Sequence, residues 1–346
     1  MSIERWRTIC AVLMISLIFV CDSNSATACQ FGTPDDAGKS VWNMSTGDSF
    51  TVAVVISKQT TTTQSNQPTT TETSDRFRIE YRAARVRENG DAIVAAMLRE
   101  PSRDTLGTSP SLKSTADRVM VLEDVALLFQ LDKEGIVQGV SPSDRQEIIN
   151  LLTGTDAKLA ALLSRSLPNE VMASWISRPF WLALAADQQQ PMAEWKRTLT
   201  AGCGPFGTAE HEIQLTLNEI KDSFGSVSAT ATSRFVPLVL PAAEVAANTD
   251  LLTNVKVSVE DFQMTARMAI VPLVQSDPPS LVRPQFESLD LKVRVAGSGD
   301  VPASGAKANG SVTFTQTVAE SWILEGSAFG RPEFLFSPVA PVIPVQ

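Results

Sequence analysis

Apolar and polar residues alternate with a period of two along most of this chain, and the departures from that rhythm mark its turns and helices. Phe50, Val52, Val54 and Ile56 alternate with Thr51, Ala53, Val55 and Ser57, which predicts a first strand. The threonine-rich stretch from Lys58 to Asp75 favours extended backbone, and Ser65-Asn66-Gln67-Pro68 inside it reads as a turn. A long hairpin is expected there, with a disordered loop as the alternative. Phe77, Ile79, Tyr81 and Ala83 continue the alternation, with Arg76, Arg78 and Arg82 on the opposite face and Arg85 and Arg87 extending the basic stripe. Glu88-Asn89-Gly90-Asp91 reads as a hairpin turn, Ile93 to Leu98 as a strand apolar on both sides, and Pro101 to Ser114 as a surface loop.

Between Val125 and Leu167 the rhythm changes. Leu127, Phe129 and Leu131 make one more strand, Asp132-Lys133-Glu134-Gly135 a hairpin loop, and Ile136 to Val140 a short partner strand. Ser141-Pro142 then reads as a helix start and Gly154 as its stop. Ile148, Ile149, Leu151 and Leu152 form the apolar stripe of that helix, and Leu159, Leu162, Leu163 and Leu167 that of a second. A third, from Pro168 to Pro179, carries Val171, Trp175 and Ile176.

Alternation then resumes. Strands are predicted at Trp195–Thr200, around Ile213, Leu215 and Leu217, and around Val227, Ala229 and Ala231 after a turn at Gly225. In Val255–Ile270 the apolar parity shifts near Glu260-Asp261, the mark of a bulge or tight turn. Pro272 to Pro284 reads as a connection, Leu289 to Val295 as a strand, and Gly297 to Gly310 as a loop. Val312–Phe314 and Trp322–Leu324 are expected to close the sheet. Strands of this kind, without a β-α-β rhythm, predict an α+β fold: one large curved, half-barrel-like antiparallel sheet with a central helical block packed on its apolar face. The expected organisation is a leader over 1–28 and a single β-rich domain over 29–346. That domain carries a helical insertion at about 141–186 and an extended proline-rich tail over 331–346.

Composition narrows the functional classes. A net charge of −9 and a pI near 4.8 disfavour nonspecific nucleic-acid binding through phosphate neutralisation. A single histidine leaves few routes to metal or imidazole chemistry, and no cofactor is expected. Arg5 and Arg7 followed by the apolar run Ile9–Val20 and then Ala26-Thr27-Ala28 read as an export signal with its cleavage site; an uncleaved anchor is the alternative. Cleavage after Ala28 leaves Cys29 first, and two readings compete for it. Ala26-Thr27-Ala28-Cys29 resembles a lipobox, in which the cysteine carries a lipid anchor. Alternatively Cys29 and Cys203, the two cysteines outside the leader, form a disulfide in an oxidising compartment.

Gly47-Asp48-Ser49-Phe50 before a strand, LFQLDKEGIVQGV before the helices, EWKRTLT after them and GSVTFTQTVAESWIL late in the chain are together similar to a family of exported bacterial proteins of unknown function. Its members are often lipoproteins and share a strand–D-x-x-G hairpin–helix centre. The resemblance covers most of the mature chain and implies no catalytic residues. At the level of shape, the expected sheet also resembles the periplasmic lipid and lipoprotein carriers.

Local chemistry adds little. Gly47-Asp48-Ser49-Phe50 also resembles the nucleophile block of GDSL-type esterases, but a strand follows the serine where those enzymes place a helix, and no D-x-x-H pair follows. His211 has no ligand-spaced partner and reads as a surface imidazole between Glu210 and Glu212. Asp132-Lys133-Glu134 lacks a calcium-loop pattern. The arginine stripe reads as strand-face charge paired across to glutamates, with anionic headgroups or glycans as the alternative. Trp175, Phe180, Trp181 and Trp195 are the candidate lining of an apolar ligand pocket between helices and sheet. The resulting expectation is a non-enzymatic, extracytoplasmic envelope protein holding an apolar ligand or partner segment. Its partner would be lipid or another envelope protein, and the membrane would be met only through a lipid on Cys29. The alternatives are a structural or protein-interaction module and, third, an exported hydrolase.

Overall fold

The computed structural model describes residues 44–64, 66–106, 122–185, 188–202, 207–237, 253–270, 285–301 and 310–328. Cys29, Cys203, the leader, the connection 272–284 and the tail therefore lie outside the described residues.

Eleven strands form one antiparallel sheet. The chain runs through β1 (Ser49–Gln64), β2 (Gln67–Val86), β3 (Ala92–Leu106), β4 (Ala126–Leu131) and β5 (Val137–Val140). Helices α1 (Pro142–Thr153), α2 (Ala157–Ser166) and α3 (Asn169–Ser177) and a 3-10 turn at Arg178–Phe180 follow. The chain then returns through β6 (Glu194–Gly202), β7 (Gly207–Lys221), β8 (Phe224–Pro237), β9 (Thr253–Ala269), β10 (Phe286–Val301) and β11 (Gly310–Ala328). The spatial order is β5-β4-β3-β2-β1-β11-β10-β9-β8-β7-β6, so the first strand lies beside the last and the two edges come from mid-chain.

This corrects the expected α+β architecture. The helices are 12, 10 and 9 residues long and form no central block laid over the sheet. Instead α3 touches both β5 and β6, the two edge strands, and sits in the seam between them. Arg197 on β6 completes the seam by donating to the carbonyls of Ala183 (3.1 Å) and Glu134 (3.4 Å). Gly135 has a positive φ of 80° and lies so close to Ala183 and Phe180 that a Cβ there would stand 3.1 Å from the Ala183 Cβ. The sheet thus curls until a helix bridges its edges, leaving no long unpaired strand there.

The sequence underestimates strand length because low-complexity stretches are strand. The threonine segment is a regular hairpin, with Lys58 opposite Thr73 and Thr61 opposite Thr70, whose hydroxyls lie 3.0 Å apart. Pro101 belongs to β3 and Gly297 to β10, where loops were expected. A Cβ at Gly297 would overlap the Phe314 ring on β11, so the glycine makes room for an aromatic. The turn before β8 is Asp222-Ser223, both at positive φ, and not Gly225, which is buried in the strand. The bulge read near Glu260-Asp261 is present: Arg294 faces Asp261 while Val295 faces Val259.

Candidate functional site

The strand parity sorts side chains into an outer and an inner face. Outward positions carry charge: Arg78 pairs with Glu100 (2.6 Å) and Glu325 (2.7 Å), and Arg99 pairs with Asp124 and Glu80. Asp290, Lys292 and Arg294 are exposed on the outer face of β10. Arginines Arg78 and Arg99 are thus held by acidic neighbours, as the pairing rule for strand faces expects. On the same face Val55, Ser57, Thr265, Lys292, Ala319 and Ser321 border a trough of about 290 Å³.

Inward positions build an aromatic core. Phe180 meets Phe50 (5.9 Å), Tyr81 (5.7 Å) and Phe129 (5.9 Å). Trp175 sits between Phe77 (5.4 Å) and Trp322 (5.7 Å). Trp181 donates to Ser177 Oγ, and Trp195 donates to the carbonyl of Trp181. The four aromatics singled out in the sequence are all buried, but these contacts join only Trp181 to Trp195, while Phe180 and Trp175 pack in separate groups.

Beneath them lies polar chemistry that the sequence reading missed. Arg178 is fully buried at the end of α3 and donates through Nε to Glu320 (3.1 Å) and through Nη1 to the Ser174 carbonyl (3.0 Å), while its guanidinium lies 4.3 Å from the Trp181 ring. Glu320 also accepts from Trp322 Nε1 (3.0 Å). His211 corrects its surface reading: it is fully buried, with Nδ1 2.6 Å from Ser233 Oγ and its ring against Phe262. Burial, with Arg178 adding to it, lowers its pKa to about 4, so it is neutral at pH 7.

A second polar group lies toward the rim formed by the β1–β2 turn. Lys58 on β1, Asp75 on β2 and Arg103 on β3 all face inward, and Arg103 Nη2 donates to Asp75 (2.5 Å). Arg103 is aimed inward by a bulge. Arg78 faces Arg99, but Arg76 faces Ser102, and the intervening Glu100 takes a φ of 50°. The extra residue reverses the parity and turns Arg103 toward Asp75. Burial above all, and then Arg103, lowers the Lys58 pKa to about 7, against a raising effect of Asp75. Gln316 and Thr60, hydrogen-bonded at 2.8 Å, are buried in the same region of the sheet, where Lys58 faces Val318 and Thr60 faces Gln316.

Toward the same rim, Ser233 apart, the inner positions of β8 and β9 are apolar but only half-buried: Ala229, Ala231, Phe235, Val255, Val257, Val259 and Phe262. Among the described residues the ladder between these strands runs from Phe224–Ala269 to Ser228–Thr265, and both strands continue beyond it. The helices contact β4, β5 and β6, and the 3-10 turn contacts β10. Ser49 begins β1 opposite Arg82, at the other rim from His211's neighbourhood, so the esterase-like block is a turn entering a strand. Among the described residues there is no cluster of three metal-ligating side chains.

No family model and no curated protein matches the chain. It is similar to solved outer-membrane structures: OprG of Pseudomonas aeruginosa, at 6% identity over 84% of this chain and 99% of that one, with a TM-score of 0.21. OpdL of the same organism gives 8% identity over 80% and 99%, with a TM-score of 0.18. The translocator domain of the autotransporter NalP of Neisseria meningitidis gives 8% over 92% and 94%, with a TM-score of 0.15. Likeness at this level amounts to long antiparallel strands and goes no further. Membrane-spanning barrels carry an apolar band outward, whereas here the exposed charges of β2, β3 and β10 point out and the aromatics point in.

Proposed function

We propose that this chain is a non-enzymatic, exported protein of the cell envelope that holds an apolar or amphipathic molecule against the inner face of β8 and β9. The half-buried wall of Ala231, Phe235, Val255, Val257, Val259 and Phe262 carries the reading. Each Å² of apolar surface withheld from water is worth roughly 25 cal/mol, and a bound apolar molecule recovers what the fold leaves unused. Export rests on Arg5, Arg7, the Ile9–Val20 run and Ala26-Thr27-Ala28. The aromatic cluster around Trp175 is already filled by its own side chains, so the ligand lies nearer the β1–β2 turn.

The test is native mass spectrometry of protein expressed with its leader and purified without detergent. The wild-type chain is expected to carry a molecule extractable into organic solvent, and Val257→Asp to lose it while still melting cooperatively. A wild-type protein that arrives empty and fails to bind dodecanol would refute the reading. A second reading, an interaction module, draws on the outer trough beside Ala319. Ala319→Trp, which fills that trough, leaves ligand retention unchanged under the first reading.

A further inference from the structure

One polar pair interrupts the apolar wall of β7 to β9. The inner positions of β7 run Ala209, His211, Ile213 and Leu215, those of β8 run Ala229, Ala231, Ser233 and Phe235, and His211 faces Ser233 across the ladder. His211 is 0% exposed, and its Nδ1 lies 2.6 Å from Ser233 Oγ. Its Nε2 is buried with no hydrogen-bond partner. A buried ring nitrogen without a partner is costly in either tautomer. An aliphatic side chain, like those at Ile213 and Leu215, would fill the position without that cost. The imidazole packs at 5.6 Å against Phe262 of β9, itself part of the half-buried wall. Beyond Ser228–Thr265 no ladder joins β8 to β9 among the described residues, so no backbone bonds between them close the wall beside this pair.

We propose that His211 is the polar anchor of this wall, taking through Nε2 the hydroxyl of an uncharged amphiphile whose chain lies along Ala231, Phe235, Val257 and Val259. The inference rests on the proposed function and deepens it by naming the head group of the ligand. A hydroxyl both donates and accepts, so it satisfies Nε2 whichever tautomer the bond to Ser233 selects. A carboxylate only accepts, and it would bury its charge against a ring that is neutral at pH 7. Ser233 is a positioning residue, holding the imidazole from Nδ1 while Nε2 meets the ligand. A single polar pair in an otherwise apolar lining sets the orientation of a bound chain more than its affinity.

His211 is the only histidine of the chain, so protein isotopically labelled at its histidine nitrogens reports one imidazole by nuclear magnetic resonance. The full chain, expressed with its leader and stripped of co-purified material, is titrated with dodecanol and followed by the ring resonances and by isothermal titration. His211→Leu is titrated beside it. Dodecanol is expected to shift the Nε2 resonance of the wild-type protein, while Nδ1, held by Ser233, moves little. It is expected to bind His211→Leu about threefold to tenfold more weakly, the range of one neutral hydrogen bond. The resonance shift needs no variant, so a His211→Leu protein that fails to fold leaves the test intact. Dodecanol that binds the wild-type protein with both ring nitrogens unmoved would overturn the anchor and leave the apolar wall standing, with an ordered water satisfying Nε2 instead. No binding of dodecanol at all overturns the anchor and the proposed function together.

Discussion

Neutralising one member of the Arg178–Glu320 pair should cost far more than neutralising both. Glu320 lies on β11 and Arg178 at the end of α3, with side chains 3% and 0% exposed, so neither charge has water to fall back on. Glu320→Gln preserves the acceptor for Trp322 Nε1 but leaves the guanidinium a buried, uncompensated cation. Breaking a buried pair in this way costs about 3–5 kcal/mol. Arg178→Met strands the carboxylate instead, with a similar expected loss. The double variant removes both charges and fits a chain of comparable length over Trp181. What remains is the lost contact of the guanidinium with that ring, worth about 1 kcal/mol, because the Ser174 carbonyl still accepts from Ser177 Oγ. Urea denaturation of the four proteins, followed by tryptophan fluorescence, measures the coupling between the two sites. It should be about 3 kcal/mol or more. Single-variant losses that simply add would mean that the two charges are solvated in the native protein, and the description of a sealed interior would be wrong.

Three further outcomes follow from the same interior. His211 is held neutral, with a pKa near 4 against an ordinary value of 6.5, so the unfolded chain binds the extra proton between those values. Its contribution of about 3 kcal/mol is full above pH 6.5 and lost as pH falls through 4; His211→Gln should flatten that part of the stability–pH curve measured by urea titration. Lys58 has a pKa near 7 against 10.5, so the native state should gain stability as pH rises through that window, by up to about 5 kcal/mol, and Lys58→Met should raise the thermal midpoint at or below pH 7. Gly297→Ala places a Cβ in the Phe314 ring and 2.9 Å from the Lys256 carbonyl, which should cost about 1–3 kcal/mol by urea denaturation, and Phe314→Leu on that background should recover part of it.

Much of this can be read from alternation, and several misreadings come from not carrying its parity through. The strands through Phe50, Phe77, Leu127 and Ile213 follow directly from their period of two, though not their full lengths. The hairpin at Asp132–Gly135 and the helix starting at Pro142 follow from turn and cap residues, although Ser141 Oγ donates to Asp144 and makes no cap bond of its own. His211 was assigned to the surface because two glutamates flank it in sequence. In a strand those neighbours point the opposite way, and His211 shares its parity with Ile213, Leu215 and Leu217, all buried. The same parity rule applied to Phe50, Val52, Val54 and Ile56 places Lys58 inside, applied to Phe77 and Ile79 places Asp75 inside, and applied to Trp322 places Glu320 inside. Arg103 was not legible this way, because Glu100 interrupts the count with a backbone conformation that its side chain does not advertise. Nor was the seam legible: that α3 would bridge β5 and β6 depends on how far an eleven-stranded sheet curls, which no local pattern encodes.

The two buried charge groups are built by different devices. Arg178 and Glu320 pair with one another and so tie the seam helix to the strand at the centre of the sheet, with Ser174 and Trp181 holding the guanidinium and Trp322 the carboxylate. Structure accounts for that pair. Lys58, Asp75 and Arg103 meet because a bulge turns Arg103 inward, and the parity of β1 would accept an aliphatic residue at position 58 as readily as the Val52, Val54 and Ile56 before it. Such a residue would relieve a buried ammonium whose pKa burial has lowered to about 7. The stability that Lys58→Met gains at or below pH 7 therefore measures what burying that ammonium costs the fold.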